Sequence, residues 1–220
     1  KITGVKINGI KNPRGYCFDY LNCSWEVTET DSKRPSGAAI EVSASPDFSE
    51  ILYRKEGAGL RWQGEKLELE LQPRHIYYVR VSVTGDKGDS AVSEPAVFET
   101  GKMSEPWQGK WIAARAEDDF HIVLKKEIRL EKPVKKARFY GTGVGMFELY
   151  LKVNKVGDEY LAPYLTEYET GIQVITYALD GLREGQNRVE LLLGKGWYMG
   201  LFGLELKKNN YGSRMAAIGE

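Results

Sequence analysis

Apolar and polar residues alternate along most of this 220-residue chain, with the period of two that is typical of β-strands with one buried face. Turn residues separate the alternating stretches, and no segment shows the 3.6-residue period of a helix. In the first half the clearest stretches are LNCSWEV at 21–27, AAIEVSAS at 38–45, KLELEL at 66–71 and YYVRVSV at 77–83. Short strands at this spacing predict an all-β fold built from β-sandwiches.

The fourth stretch opens with a tyrosine, Tyr77, shortly after Pro73. A tyrosine in this position can bond its hydroxyl to the preceding turn, which is the tyrosine corner of Greek-key sandwiches. Trp25 lies on an early strand, and SEPAVFETG at 93–101 closes the region. Residues 1–100 are therefore predicted to form a fibronectin type III-like domain, with structural roles for Trp25 and Tyr77.

A short segment without alternation, GKMSEPWQGK at 101–110, contains Gly, Ser and Pro and is predicted to be a linker. Trp107 and Trp111 flank its end, where a wedge between domains is favoured over a sugar platform because domain joints need large buried areas. Trp111 is accordingly given a structural role. Residues 111–220 again read as antiparallel strands with short turns, so we expect a jelly-roll-like β-sandwich, incomplete at its C-terminus.

The charge balance argues against nucleic acid and anionic membranes as partners, because 31 basic and 31 acidic residues give a net charge of zero without a Lys/Arg-dense run. No apolar stretch approaches the ~20 residues that span a bilayer. The two cysteines, Cys17 and Cys23, and the two histidines, His75 and His121, are scattered, so neither a metal nor another cofactor is expected. The chain starts with Lys rather than Met, which leaves the compartment undecided, with a slight preference for the cytoplasm.

Catalytic patterns are not found. The Gly-rich run GTGVG at 141–145 is followed by a strand-like segment, whereas a nucleotide loop needs a helix there, so a turn or bulge between strands is favoured. Paired carboxylates occur at Asp118/Asp119 and Glu167/Glu169, but glycosidases place two such groups across a cleft. Adjacent acids in polar segments are typical of solvated surface. No catalytic residue is therefore assigned.

The segment GKGWYMGLFG at 194–203 combines glycines with large aromatic residues. It has three interpretations: a ligand loop, a bend between strands, or a surface that packs on a missing partner or on its own sandwich. A ligand loop would make Trp197 and Tyr198 carbohydrate-binding residues, but Lys195 is the only charged side chain available to orient a sugar. Packing is favoured because it explains both the glycines and the apolar area.

Several ordered motifs resemble the N-terminal β-domains of bacterial α-L-rhamnosidases, which are glycoside hydrolases. The motifs are SEPAVFETG, GKWIA, ARFYGTGVGMFELYL, VGDEYLAP and LLLGKGWYMG. The likeness covers roughly residues 20–205. It implies that this assembly precedes an (α/α)₆ barrel that holds the catalytic carboxylates and releases terminal L-rhamnose with inversion. The implied partners are that missing barrel of the same chain and, through the full enzyme, a rhamnose-containing carbohydrate.

The sequence departs from the family at one turn, where Lys152 and Val153 replace the usual Asn-Gly, so we expect a wider hairpin. The resemblance makes the chain a non-catalytic accessory part of a hydrolase that supports or frames its barrel. The alternative is a free-standing carbohydrate-binding β-sandwich module without an enzyme, and a third possibility is a purely structural spacer.

Overall fold

The computed structural model describes residues 1–113, 121–201 and 203–220. The chain divides into two compact units, Lys1–Glu105 and Pro106–Glu220. In the described residues the regular elements are strands apart from one short helix, so the prediction of an all-β fold is confirmed.

The first unit is a sandwich of two sheets. Its strands are β1 (Ile2–Ile7), β2 (Arg14–Tyr16), β3 (Leu21–Val27), β4 (Pro35–Ser43), β5 (Ile51–Gly57), β6 (Glu65–Leu67), β7 (Ile76–Gly85), β8 (Ser90–Val92) and β9 (Ala96–Thr100). One sheet has the order β1–β3–β6, and the other has the order β2–β9–β7–β4–β5, with β8 also paired to β7. All pairs are antiparallel except β2–β9. This is the predicted fibronectin type III-like sandwich.

The core of the first unit lies between these two sheets. Successive side chains of a strand point to opposite faces, so the alternation in the sequence brings every second residue inward. The buried residues include Leu21, Cys23 and Trp25 of β3, Ile40 and Val42 of β4, and Tyr77, Val79 and Val81 of β7. Burial raises the pKa of the Cys23 thiol to about 12 by desolvation, whereas Cys17 is exposed, and both cysteines are free.

The structure departs from the sequence pattern at the edges of the first unit. KLELEL forms a strand only up to Leu67, and Leu69 and Leu71 pack on the core from an irregular segment. The edge strand β5 was not predicted, because most of its residues are exposed and its sequence lacks clear alternation. Pairing with β4, rather than burial of one face, defines this strand.

The second unit is also a sandwich. Its described elements are β10 (Ile112–Ala113), β11 (Ile122–Leu130), β12 (Arg138–Val144), β13 (Met146–Leu151), β14 (Asn154–Val156), β15 (Ile175–Ala178), β16 (Gly185–Gly194), α1 (Gly196–Met199) and β17 (Ala216–Gly219). They form two antiparallel four-stranded sheets, β10–β17–β12–β15 and β11–β16–β13–β14. Its core includes Phe147, Leu149, Tyr177, Leu191, Leu193, Met215 and Ala217. This arrangement confirms the predicted jelly-roll-like sandwich.

A single glycine, Gly145, joins β12 to β13, and these two strands belong to different sheets. Its φ of +105° favours glycine, and a Cβ there would overlap the backbone oxygen of Gly194. The other two glycines of GTGVG, Gly141 and Gly143, lie inside β12. The GTGVG segment is therefore the end of β12 followed by a corner at Gly145, and the element after the corner is the strand β13 rather than a helix.

The hairpin between β13 and β14 is tight, so the expectation of a wider turn was wrong. Leu151 pairs with Asn154, which leaves only Lys152 and Val153 in the turn. Lys152 takes the left-handed conformation with φ of +61°. Its N–H donates to the carbonyl oxygen of Arg188 at 2.7 Å, and this bond to the neighbouring strand holds the turn without Asn-Gly.

The segment predicted as a linker, 101–110, contains the boundary between the two units. Residues 101–105 lie in the first unit, where the N–H of Gly101 donates to Tyr16 and its carbonyl oxygen accepts from Arg74. Trp111 lies in the second unit just before β10, with 48% of its surface exposed. Its role as an interdomain wedge stays a prediction.

Candidate functional site

The glycine- and aromatic-rich segment after β16 forms the single helical turn α1. Gly196, its first residue, has a φ of +48°, and a Cβ there would come within 2.6 Å of Cγ of Met146. The N–H of Gly200 donates to the carbonyl oxygen of Gly196 at 3.0 Å and closes the turn. Glycine is needed here because the backbone packs directly against the start of β13.

The three large side chains of α1 lie at different depths. Met199 is buried in the core, and Trp197 and Tyr198 are half-buried. The turn therefore packs on the sandwich of its own unit, and neither proposed carbohydrate-binding residue is fully exposed.

Tyr198 belongs to a cluster of three tyrosines, Tyr168, Tyr198 and Tyr211, called here the tyrosine cluster. The ring centroid of Tyr168 lies 5.1 Å from that of Tyr198 and 4.9 Å from that of Tyr211. The N–H of Tyr211 donates to the carbonyl oxygen of Tyr198 at 3.3 Å. A Cβ at Gly212 would overlap the Tyr198 hydroxyl, so glycine at this position makes room for the cluster.

The centre of the tyrosine cluster is apolar in character. The hydroxyl oxygen of Tyr168 is buried, and no hydrogen-bond partner for it lies among the described residues. Desolvation, followed by the nearby hydroxyls of Tyr211 and Tyr198, raises the pKa of Tyr168 above its ordinary value. The Tyr168 hydroxyl therefore stays protonated at neutral pH and offers no charge to a ligand.

Two loops that contribute to the tyrosine cluster also expose large apolar side chains. The β14–β15 loop contains Tyr168, the α1–β17 loop contains Tyr211, and the rings of these two residues are in contact. The exposed residues, called here the apolar loop residues, are Tyr160, Leu161, Tyr164 and Leu165 on the first loop and Leu201, Leu204 and Leu206 on the second. Where such side chains form one contiguous patch, they are typical of an interaction surface.

The outer face of β13 and β14 holds a charged network that the sequence reasoning missed. Glu148 accepts a hydrogen bond from the Tyr150 hydroxyl at 2.7 Å and forms an ion pair with Lys155 at 3.1 Å. These contacts, led by the Tyr150 bond, lower the pKa of Glu148 despite its partial burial. Lys155 also lies 3.4 Å from the ring centroid of Tyr160. The carboxylate is thus held ionised by its own neighbours, which does not suit a general acid.

The carboxylate pairs of the sequence do not form a catalytic site in the described structure. Asp118 and Asp119 lie outside the described residues. Glu167 and Glu169 are exposed on a turn, where the carbonyl oxygen of Glu167 accepts from the N–H of Thr170 at 2.9 Å. Across residues 1–113, 121–201 and 203–220 there is no group of three or more metal-ligating side chains. Within the same residues no helix has the length and apolarity that a membrane crossing requires.

The residues predicted to be structural in the first unit are buried. Trp25 is 3% exposed and Tyr77 is 1% exposed. The Tyr77 hydroxyl accepts a hydrogen bond from the backbone N–H of Gln72 at 2.8 Å, which is the geometry of a tyrosine corner. The Tyr77 ring stacks on Phe98 with centroids 4.9 Å apart.

Comparison with known proteins assigns both units. Residues 2–104 match the family described as Rha78A-like, N-terminal immunoglobulin domain. Residues 132–220 match the family described as Alpha-L-rhamnosidase N-terminal domain. Both units thus match models of N-terminal α-L-rhamnosidase domains, one model for each unit.

Curated α-L-rhamnosidases match over most of this chain. One from Formosa agariphila is 25% identical over 218 residues, which cover 89% of this chain and 23% of the relative. Another from the same organism is 31% identical over 233 residues, which cover 88% of this chain and 24% of the relative. The chain spans about a quarter of the length of these α-L-rhamnosidases.

Solved α-L-rhamnosidase structures share the fold. The enzyme from Aspergillus terreus superposes with a TM-score of 0.85 at 23% identity, over 99% of this chain and 26% of that chain. The Streptomyces avermitilis enzyme, solved in complex with L-rhamnose, superposes with a TM-score of 0.83 at 16% identity, over 100% of this chain and 39% of that chain. The fold of this chain therefore recurs in solved α-L-rhamnosidases, where it makes up between about a quarter and two fifths of each chain.

Proposed function

We propose that this chain is the non-catalytic N-terminal part of an α-L-rhamnosidase, which releases terminal L-rhamnose from rhamnosides. The observation that supports this function is the match of both units, in chain order, to the two N-terminal domain families of these enzymes. The matched relatives are about four times as long as this chain. The proposed role is to support the catalytic barrel of the same polypeptide.

The apolar loop residues are the proposed contact with the barrel. Leu161 is 62% exposed, and Leu204 is fully exposed. Covering such side chains removes apolar area from water and contributes roughly 25 cal/mol per Å² buried. The tyrosine cluster joins the two loops through the contact between the rings of Tyr168 and Tyr211. In this proposal Trp197 and Tyr198 pack and do not bind sugar.

A hydrolysis assay tests whether this chain alone lacks catalytic activity. The purified 220-residue chain is incubated with a chromogenic α-L-rhamnoside beside the full-length enzyme encoded by the same gene. We expect turnover by the full-length enzyme only. Hydrolysis by the chain alone at a rate comparable to that of the full-length enzyme would overturn the non-catalytic role.

A pair of variants of the full-length enzyme tests the contact surface. Leu161→Glu combined with Leu204→Glu places charge on both loops, and Val153→Glu is the matched control because Val153 is 75% exposed on the β13–β14 hairpin. We expect the double variant to lower the melting temperature of the barrel and the control to leave it unchanged. Equal melting temperatures in both variants would contradict this surface.

A further inference from the structure

The first unit has an open cleft at one end of its sandwich, between the two sheets. The cleft has a volume of about 550 Å³, within the range of ~300–1,000 Å³ that is common for small-molecule sites. Its floor is apolar and includes Trp25 of β3, Val83 of β7 and Ala38 of β4. The side chains of its own core therefore leave this end of the sandwich unfilled.

A tryptophan, Trp62, lies at the mouth of the cleft with 51% of its surface exposed. Two hydrogen bonds hold the loop between β5 and β6 that contains Trp62. The carbonyl oxygen of Trp62 accepts from the N–H of Trp25 at 3.0 Å, and the N–H of Arg61 donates to Oε2 of Glu65 at 2.8 Å. The exposed indole is thus carried by a loop whose backbone is hydrogen-bonded in place. A side chain that is positioned before binding loses little conformational entropy when the ligand binds.

Polar groups also line the cleft in a pre-formed arrangement. The carboxylate of Asp89 accepts hydrogen bonds from the hydroxyls of Thr30, at 2.5 Å, and Ser32. These two bonds, with Ser32 first, lower the pKa of Asp89, so the carboxylate stays ionised. The N–H of Asp86 donates to the carbonyl oxygen of Arg34 at 2.9 Å and ties the two rim loops together. A carboxylate has about four acceptor positions, so Asp89 retains acceptor capacity for a ligand hydroxyl.

The charges on the rim argue for a neutral ligand. Six charged residues line the cleft, of which Lys1, Lys33 and Arg34 are positive and Glu26, Glu29 and Asp89 are negative. A phosphate or a carboxylate ligand would meet repulsion as well as attraction there. A neutral molecule with several hydroxyls can accept from the cations and donate to the carboxylates, while its apolar face meets the floor.

We propose that this cleft binds one pyranose unit of a saccharide, with the Trp62 indole against the apolar face of the sugar ring and Asp89 at its hydroxyls. An aromatic face beside a few fixed polar groups is the arrangement that suits a ring with one apolar side. The choice of an L-rhamnosyl unit rests on the proposed function, and its methyl group would lie on the apolar floor.

Titration of the ¹⁵N-labelled 220-residue chain, followed by NMR, tests the site. L-rhamnose and D-glucose are added separately, and the indole N–H resonance of Trp62 is followed. We expect a saturable shift of this resonance with L-rhamnose, with a dissociation constant in the millimolar range or below. No saturable shift with either sugar would overturn the site, and a shift with D-glucose alone would overturn the rhamnosyl assignment.

Two variants in the first unit and one control locate the binding. Trp62→Ala removes the aromatic wall, and Ala58→Leu adds bulk at the mouth of the cleft without removing any contact. We expect each to weaken L-rhamnose binding at least about tenfold at an unchanged melting temperature. Trp111→Ala, in the other unit, is the control because Trp111 is similarly exposed. Equal affinity in all three variants would contradict the proposal.

The same titration separates this site from the proposed function. Rhamnoside hydrolysis by the full-length enzyme tests the proposed function. Sugar binding by the 220-residue chain, which is measured without the barrel, tests the cleft. An enzyme that hydrolyses rhamnosides while the chain binds no sugar would overturn the cleft proposal alone.

Discussion

Substitution of Tyr77 by Phe isolates the contribution of one buried hydroxyl to the stability of the first unit. The Phe ring keeps the stacking on Phe98, so the change removes only the acceptor of the 2.8 Å hydrogen bond from the N–H of Gln72. A typical bond contributes about 0.5–1.5 kcal/mol, and an unsatisfied buried partner costs roughly 1–3 kcal/mol. Because Gln72 is exposed and water can reach its backbone in part, we expect a loss of about 1–2 kcal/mol.

Urea unfolding of the 220-residue chain measures this loss, with the resonances of the first unit followed separately from those of the second. We expect a lower midpoint at an unchanged m-value and a melting temperature lower by about 4–8 °C per kcal/mol for a unit of this size. Tyr78→Phe is the matched control, because Tyr78 is the next residue of β7 and points to the opposite face of the sheet. Its effect should stay within about 0.5 kcal/mol. If Tyr77→Phe unfolds at the wild-type midpoint, the tyrosine corner does not stabilise this sandwich.

Three further predictions concern other sites. At pH 8 a thiol reagent should label Cys17 rapidly and Cys23 only after unfolding, because burial and a pKa of about 12 keep Cys23 protonated, and mass spectrometry of the labelled peptides checks this. Gly145→Ala should destabilise the second unit by at least about 1 kcal/mol in thermal unfolding, since its positive φ and a backbone carbonyl leave no room for a Cβ, whereas Gly171→Ala should be neutral. Asn187→Ala should cost about 2–3 kcal/mol in urea unfolding, because this 1% exposed side chain makes three hydrogen bonds to the backbone of Arg183 and Gly185 at the start of β16; a change below 0.5 kcal/mol would contradict that role.

The strands with one buried face could be predicted from the sequence, because burial itself produces the alternation. This holds for β3, β7 and β13, whose buried and less buried residues alternate in the structure. The edge strand β5 lacks that pattern, since pairing with one neighbour defines it. The tight turn at Lys152 was also missed, because a hydrogen bond that its N–H donates to another strand supports it rather than its own residue type.

The candidate sites depend on distances between segments that are far apart in the sequence. The cleft is lined by residues of five strands, β1, β3, β4, β7 and β8, and of the loops β3–β4, β5–β6 and β7–β8. Nothing in the local sequence around Trp62 or Asp89 indicates that these two residues line one cleft. The only local signal was a tryptophan in a polar loop. By contrast, the apolar area near Trp197 was visible in the sequence, because its aromatic residues are contiguous.

The position of β17 in its sheet has a consequence for synthesis on the ribosome. Ala216–Gly219, near the end of the sequence, pairs with both β10 and β12, so the strand made last stands between two strands made much earlier. All residues of the first sandwich have been synthesised once Glu105 is added, so the first unit can fold while translation continues. The second unit has to keep one edge of β12 unpaired until residue 219 has left the exit tunnel. During that interval this edge of β12 is open to pairing with other nascent chains, and faster emergence of β17 from the tunnel shortens the time that the nearly complete unit spends exposed to them.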